Sequence, residues 1–177
     1  MPRAWFDRPT RTVARELLGA VLARRSHGGI RAARIVETEA YLRGDPASHA
    51  FRGPTPRNRS MFEAAGTLYV FRIHQVHCAN VVTRPGEAVL LRAGEPLTGG
   101  LGSTRGPGRL ARELGVTLRD DGSDLARSRV RLLPGPPARE GVSIGPRIGI
   151  SKARELPLRY YLTGNRFVSG PRGRKLT

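Results

Sequence analysis

The sequence predicts a mixed α+β fold in one domain, built on a curved and largely antiparallel sheet. The 177 residues, of which 38% are hydrophobic, suit a single domain with one core. Strand-like segments outnumber helical ones, and few of them alternate with helices as a parallel sheet would require. The sequence contains no internal repeat and no dividing linker. We therefore expect residues 1–177 to form one domain, with residues 170–177 as a basic, frayed tail.

Capping signals predict two helices. Thr10 or Thr12 is expected to cap the first helix, and Gly19 to end it. Pro107 suits the first position of the second helix, because its missing N–H is not needed there. Gly115 follows the last apolar residue of that segment and is expected to end the helix.

Apolar runs predict the strands, which we place at residues 20–25, 30–41, 67–73, 88–91, 130–133, 147–150 and 159–162. Val81 and Val82 are expected to extend the third of these after a break near Gln75. Residues 43–59 are polar and rich in Gly and Pro, which indicates a long loop. Long loops inside compact domains are usually functional.

The charge of the chain points to a polyanionic partner. Lys and Arg number 31 against 14 Asp and Glu, which gives a net charge of +17. Such an excess favours nucleic acid, because each neutralised phosphate releases a condensed counterion. The alternative is an Arg-rich composition inherited from a high-GC genome, since Arg far outnumbers Lys.

Cysteine content and hydropathy indicate a cytoplasmic protein. Cys78 is the only cysteine, so no intramolecular disulfide is expected, which fits a reducing compartment. The first residues lack the apolar segment of a signal peptide. No run of about 18 apolar residues occurs, so no membrane contact is expected.

Two carboxylates on one strand are the first candidates for chemistry. Glu37 and Glu39 lie two residues apart in the segment E-T-E-A-Y, so they face the same side of a strand. In so basic a chain, acidic residues on a mostly apolar strand stand out. The alternative is two solvated glutamates, or glutamates paired with nearby arginines.

A second group, His74, His77 and Cys78, has the types but not the spacing of metal ligands. Positions i, i+3 and i+4 converge only on a helix. The surrounding valines and isoleucine favour a strand, on which the two histidines point to opposite faces. We therefore expect no metal site. A metal-dependent nuclease, which chelation by EDTA would inactivate, is the rival hypothesis.

Seven segments together resemble the alkyladenine DNA glycosylase family, also called 3-methyladenine DNA glycosylases. They occur in the family's order and span most of the chain, at residues 14–19, 34–41, 55–62, 66–70, 89–96, 106–110 and 147–150. The resemblance implies a single-domain mixed α/β fold. It also implies base-excision repair of alkylated or deaminated purines in double-stranded DNA by base flipping. We expect no cofactor and a monomeric protein.

The resemblance also implies roles for individual residues. Glu39 matches the general base, and Arg92 matches the arginine that positions the attacking water. Four residues match the pocket for the flipped base: Tyr41, His49, Phe71 and Asn80. Asn80 corresponds to the asparagine that disfavours guanine. Lys152 and Lys175 are the only lysines and lie far from the strand motif in sequence, so we expect water as the nucleophile and no lyase step.

The segment that matches the family's DNA-intercalating hairpin tip departs from the pattern. Where Tyr-Gly-Met is usual, this chain has His74, Gln75 and Val76, and the segment up to Asn80 is one residue short. Counting from Tyr69 gives the intercalating role to His74, whereas counting back from Asn80 favours Gln75.

Contacts to the DNA backbone are expected from four residues: Arg57, Arg59, Gly106 and Arg109. The last two lie where a Gly-rich loop enters a helix, and such a loop can hold a phosphate. The rival outside enzymes is a basic DNA-binding module in which Glu39 has only a structural role.

Overall fold

The computed structural model describes residues 1–136 and 138–170, so most of the expected basic tail, residues 171–177, lies outside the described residues. Its helices are α1 (Arg3–Phe6), α2 (Thr10–Glu16) and α3 (Pro107–Leu114), with 3-10 turns at Arg59–Phe62 and Leu118–Asp120. Its strands are β1 (Val21–Ser26), β2 (Gly29–Tyr41), β3 (Thr67–Ile73), β4 (Val76–Arg84), β5 (Glu87–Pro96), β6 (Ser123–Asp124), β7 (Val130–Leu133), β8 (Val142–Gly145) and β9 (Arg159–Leu162).

Within the described residues, the nine strands form one sheet and their pairings are antiparallel, so the predicted α+β class is confirmed. The main strand order is β6-β3-β4-β5-β2-β1-β7, and β9 pairs with both β2 and β8. Along β2, the first half pairs with β1 and the second half with β9, while β5 runs along the other edge. The second half of β2 is therefore enclosed on both sides.

The two faces of β2 have different surroundings. Thr38 donates a hydrogen bond from its hydroxyl to the carbonyl oxygen of Ala14, 2.7 Å away in α2. Since side chains alternate along a strand, Glu37 and Glu39 point away from α2. All three side chains are buried, which is unusual for two carboxylates so close together.

The predictions for the two helices have different outcomes. α3 is confirmed, with Pro107 in its first turn and Gly115 at its end in the left-handed region, at φ 73°. The predicted threonine cap of α2 is wrong, because Pro9 precedes the helix and no side chain caps it. The Thr10 hydroxyl bonds Glu87 and lies 2.7 Å from the hydroxyl of Thr83. The helix ends at Glu16, three residues before Gly19.

Most strand predictions are confirmed to within a residue or two, and two are wrong. Residues 147–150 form no strand, because the strand in this region is β8, which ends at Gly145. Val81 and Val82 do not extend β3, because the chain turns at His74 and Gln75 and returns antiparallel as β4. Ile73 pairs with Val76 across this two-residue turn, so the break near Gln75 is a hairpin tip. Within the described residues, no helix is long and apolar enough to cross a membrane.

Candidate active site

A cavity of about 470 Å³ opens beside the buried carboxylates of β2. Its size suits one flat organic group such as a nucleobase. Most of its walls come from β3, β4, β5, the loop after β2 and the segment after β8. The residues that line it are Tyr41, Pro46, Ala47, His49, Met61, Tyr69, Phe71, Ile73, Cys78, Asn80, Leu90, Arg92, Pro107, Ile148, Gly149, Ile150, Ser151 and Lys152.

Glu39 lies directly behind the cavity wall, with no exposed surface. Its Oε1 accepts a hydrogen bond from the backbone N–H of Ile148 at 2.8 Å and lies 3.3 Å from Nη1 of Arg92. Its Oε2 accepts a hydrogen bond from the Tyr41 hydroxyl at 3.0 Å. All three groups that contact the carboxylate thus belong to residues that line the cavity.

Burial raises the pKa of Glu39 above its ordinary value. The positive charge of Arg92 acts in the opposite direction, as do the hydrogen bonds from Ile148 and Tyr41, while the charge of Glu37 adds to the effect of burial. The site therefore holds a carboxylate that accepts a proton more readily than a solvated glutamate does.

Arg92 lies between the two carboxylates of β2. Its Nε is 3.3 Å from Oε1 of Glu37 and donates a hydrogen bond to Oγ of Ser169 at 3.1 Å. Glu37 has two further partners, Nη1 of Arg159 at 3.1 Å and the backbone N–H of Ser169 at 2.7 Å. These contacts fix the guanidinium of Arg92 beside Glu39. The alternative of solvated glutamates is wrong, and pairing with arginines is what the structure shows.

Three aromatic side chains form one wall of the cavity. The His49 and Phe71 rings meet edge to face, with their centroids 4.4 Å apart. Nδ1 of His49 lies 2.8 Å from the Tyr69 hydroxyl. Burial lowers the pKa of His49, so the imidazole is neutral near pH 7. Tyr69 was not among the sequence-predicted site residues, although its place two residues before Phe71 on β3 put it on the same strand face.

Tyr41 is fixed on its other side by a buried ion pair that the sequence does not reveal. The Arg147 guanidinium carbon lies 4.7 Å from the centre of the Tyr41 ring. The same guanidinium bonds both carboxylate oxygens of Asp45 and donates to the carbonyl oxygen of Ala40 at 3.1 Å. Both members of the pair are buried. This pair ties the loop after β2 to the segment after β8.

Asn80 is held by the backbone and lines the cavity. Its Nδ2 donates hydrogen bonds to the carbonyl oxygens of Tyr69 at 3.1 Å and Cys78 at 3.3 Å. The structure therefore supports a structural role for the amide nitrogen. The amide oxygen makes no hydrogen bond with the described residues.

The hairpin tip stands beside the cavity mouth. His74 has a positive φ of 51°, unusual for a residue with a side chain, and both tip residues are exposed. The flanking residues Ile73 and Val76 are apolar but 48% and 42% exposed. A Cβ placed on Gly108 of α3 would lie 2.8 Å from Val76, so the start of α3 packs tightly against the hairpin.

The residues expected to contact the DNA backbone lie on the surface near the cavity. Arg57 and Arg59 are exposed on either side of Asn58. Asn58 is buried, and its Nδ2 donates to the carbonyl oxygen of His49 at 2.8 Å. Arg109 is exposed on α3, and Gly106 precedes Pro107, which lines the cavity.

The three residues of the rival metal-site hypothesis do not come together. His74 lies at the hairpin tip, while His77 and Cys78 are neighbours on β4 and line different cavities. Burial raises the pKa of Cys78 to about 11, so its thiol stays protonated. In the part of the chain that the structure describes, no three His, Cys, Asp or Glu side chains are grouped to hold a metal ion.

Lys152 lies closer to the site than its distance in sequence suggested. It is exposed and lines the cavity, four residues after Ile148. The expectation of no lyase step, which was based on distance along the sequence, therefore stays a prediction to be tested at Lys152. The chain folds back so that the segment after β8 borders the second half of β2, and spacing along the sequence does not show this.

Comparison with known proteins gives a consistent result. The chain matches the methylpurine-DNA glycosylase family over residues 4–166. A protein of Methanoculleus marisnigri is 46% identical over 189 residues, which cover 96% of this chain and 98% of that protein. A protein of Anaeromyxobacter dehalogenans is 49% identical, over 97% of this chain and 86% of that protein. A protein of Agrobacterium fabrum is 47% identical, over 96% of this chain and 92% of that protein. Each carries the name "Putative 3-methyladenine DNA glycosylase". The chain therefore belongs to the methylpurine-DNA glycosylase family, as a DNA N-glycosylase of DNA repair.

Proposed function

We propose that this glycosylase removes alkylated and deaminated purines, of the 3-methyladenine, hypoxanthine and ethenoadenine class, from double-stranded DNA. It flips the damaged nucleotide into the cavity and hydrolyses its N-glycosidic bond with an activated water, as a monofunctional enzyme. The observation that carries the proposal is the buried carboxylate of Glu39, held by Arg92, Tyr41 and Ile148 at the back of a base-sized aromatic cavity.

The cavity suits a flipped purine. Extrusion costs a few kcal/mol of unstacking, and stacking on aromatic rings recovers about 1–3 kcal/mol per base. Tyr41, His49 and Phe71 supply aromatic rings around the space. An electron-poor alkylated purine stacks on such rings better than a normal one does, through cation–π attraction.

The carboxylate suits the hydrolytic step. As the N-glycosidic bond breaks, its electrons leave with the base, and positive charge develops on the sugar. Ionised Glu39 stabilises that charge and takes a proton from the water whose oxygen bonds to C1′. Arg92 favours the ionised form of Glu39, because the guanidinium lies 3.3 Å from Oε1.

The hairpin tip suits insertion into the minor groove. His74 and Gln75 lie at its end, and Ile73 and Val76 add exposed apolar surface behind them. Apolar side chains that enter a base step unstack it and kink the duplex. We propose that His74 leads this insertion, because its positive φ places it at the turn, with Gln75 beside it.

A release assay tests the function. Duplexes carrying 3-methyladenine, hypoxanthine or 1,N6-ethenoadenine are incubated with the protein, and both the free base and strand integrity are measured. The proposal requires base release that leaves the strand intact until alkali is added. Strand cleavage without alkali would instead give Lys152 a nucleophilic role, and binding without release would favour a non-catalytic module.

Binding is expected to weaken steeply as salt rises, because the chain carries a net charge of +17 and presents Arg57, Arg59 and Arg109 on its surface. The logarithm of the binding constant should fall with the logarithm of salt concentration, with a slope of about −0.9 per phosphate contacted. Titration of a labelled duplex measures the slope, and Arg57→Gln should reduce it. A flat titration would contradict the proposed contacts.

Tyr41→Phe is expected to move the acid side of the pH–activity curve to higher pH. Release needs ionised Glu39, so activity falls as the pH drops through the pKa of Glu39. The Tyr41 hydroxyl lowers this pKa by donating to Oε2, so its removal lets burial raise the pKa further. Single-turnover release measured across pH checks this. Tyr160→Phe is the control, because Tyr160 pairs with Thr38 and so lies on the opposite face of the sheet from Glu39. An unshifted curve for Tyr41→Phe would contradict the contact between the Tyr41 hydroxyl and Glu39.

Asn80→Ser is expected to increase the release of guanine relative to hypoxanthine. Guanine differs from hypoxanthine by its 2-amino group, which the shorter serine would crowd less. The loss of the two Nδ2 hydrogen bonds should also reduce the free energy of unfolding by about 1–3 kcal/mol. The release ratio and the melting temperature are measured together. A lower melting temperature with an unchanged ratio would leave Asn80 only its structural role.

We also propose that the protein acts as a monomer in the cytoplasm, at the nucleoid if its source is bacterial. The single cysteine, Cys78, is buried and has a raised pKa, which suits a protein that does not depend on disulfides.

A further inference from the structure

A second cavity, of about 370 Å³, lies on the reverse side of the β3–β4 hairpin. His77 lines it, while its neighbour Cys78 lines the base cavity. Since successive side chains on a strand point to opposite faces, the two cavities lie on opposite faces of β4. The residues that line the second cavity are Arg24, His77, Thr117, Leu118, Arg119 and Arg129.

The three guanidinium groups of this cavity have few partners. Buried Asp120 accepts a hydrogen bond from Nε of Arg129 at 2.7 Å but lies 3.8 Å from Nε of Arg24, too far for a hydrogen bond. Within the described residues, the buried Nε of Arg24 has no hydrogen-bond partner, although the side chain is only 17% exposed. Three guanidinium groups against one carboxylate leave two positive charges at the cavity.

An anion would satisfy these groups. Guanidinium groups form strong, charge-assisted hydrogen bonds with phosphate oxygens, and several of them around one cavity suit a single phosphate better than a solvated surface. Thr117 and His77 add polar side chains to the same walls. The ligand class that fits is therefore a phosphate or phosphodiester.

We propose that this cavity binds a backbone phosphate of the undamaged DNA strand. The inference rests on the proposed function, in which the hairpin tip enters the minor groove. A groove is bounded by two backbones, so a hairpin inside it has one strand on each face. The base cavity receives the nucleotide of the damaged strand on one face. His77 is only two residues beyond Gln75, so the second cavity lies within reach of the strand on the other face.

Substitution of Arg119 tests the proposed subsite. It is exposed, and its guanidinium makes no hydrogen bond or ion pair with the described residues, so Arg119→Gln should leave the fold intact. Arg11→Gln is the matched control. Arg11 is also exposed, and it belongs to α2, which packs on the opposite face of β2 from Glu39.

The experiment measures binding to a duplex that carries a stable abasic analogue, so that no substrate is consumed. Each phosphate near the lesion is replaced in turn by a neutral methylphosphonate, on either strand. We expect Arg119→Gln to reduce the salt slope by about 1, and Arg11→Gln to leave it unchanged. Replacement of one or two phosphates in the undamaged strand should weaken binding by the wild type. The same replacements should have little further effect on binding by Arg119→Gln.

The subsite is overturned if every phosphate replacement weakens binding by Arg119→Gln as much as binding by the wild type. It is also overturned if the effects differ only for replacements in the damaged strand. A third contradicting outcome is that Arg11→Gln changes the salt slope as much as Arg119→Gln does. These failures differ from failure of the proposed function. Base release by the wild-type protein, measured in parallel on a hypoxanthine duplex, would be lost if the proposed function is wrong but retained if only the subsite is wrong.

Discussion

Glu39→Gln is expected to reduce base release by about 10²- to 10⁴-fold, the usual loss when a general base is removed. Glutamine keeps the shape of the side chain but cannot take a proton from water. Its amide oxygen can still accept from the backbone N–H of Ile148, which bonds Oε1 at 2.8 Å in the wild type. Binding of a lesion duplex should therefore persist. Single-turnover release and equilibrium binding are measured on the same duplex.

The same substitution is expected to leave the protein at least as stable as the wild type near pH 7. Burial raises the pKa of Glu39, so folding favours its protonated form, and the ionised form costs stability above that pKa. Glutamine removes this cost, and Arg92 keeps Glu37 as a partner at 3.3 Å. Glu16→Gln, at an exposed carboxylate on α2, is the control for activity. Near-wild-type release by Glu39→Gln would contradict the mechanism, and release lost together with the fold would leave Glu39 only a structural role.

Asp45→Ala is expected to reduce the free energy of unfolding by about 3–5 kcal/mol, the range for removing one member of a buried ion pair. Both Asp45 and Arg147 are buried, so the variant leaves an unpaired guanidinium inside the protein. Base release should fall as well, because Arg147 packs over the Tyr41 ring and precedes Ile148, whose N–H holds Glu39. Chemical denaturation and single-turnover release measure the two effects.

Two further variants make the second prediction specific. Glu16→Ala removes an exposed ion pair in which Oε2 of Glu16 lies 2.7 Å from Nη2 of Arg8. It should reduce the free energy of unfolding by less than about 1 kcal/mol. Asp45→Ala with Arg147→Met removes both charges and should recover much of the lost stability, because an apolar side chain fills the space. If Asp45→Ala costs no more than Glu16→Ala, the pair does not anchor the loop.

Elements with local signals could be predicted from the sequence. Pro107 and Gly115 fix the ends of α3 through backbone angles that the residues themselves prefer. The alternation along β2 correctly placed Glu37 and Glu39 on one face, because β2 pairs with β9 in regular register from Glu37 to Glu39 and side chains alternate there.

Features that depend on distant partners could not be predicted. Thr10 looked like a helix cap, but its hydroxyl bonds Glu87, 77 residues away. Lys152 and Ile148 line the cavity because the segment after β8 folds back beside β2, and no local sequence pattern indicates this. The pairing of Asp45 with Arg147, 102 residues apart, leaves no trace in local composition. Tyr69 had a usable signal, since it shares a strand face with Phe71.

The hydrogen bond between Ser169 and Glu37 has a consequence for how the protein folds. Glu37 bonds a residue 132 positions later in the chain, and Glu39 bonds one 109 positions later. Contacts of such long separation slow the search for the native state, because a long loop must close before each of them forms. Until they form, a collapsed chain that buried β2 would leave Glu37 without the donors of Arg159 and Ser169, and Glu39 without the backbone N–H of Ile148, which is unfavourable. We therefore expect β2 to become fully enclosed only when β9 and Ser169 have docked against it.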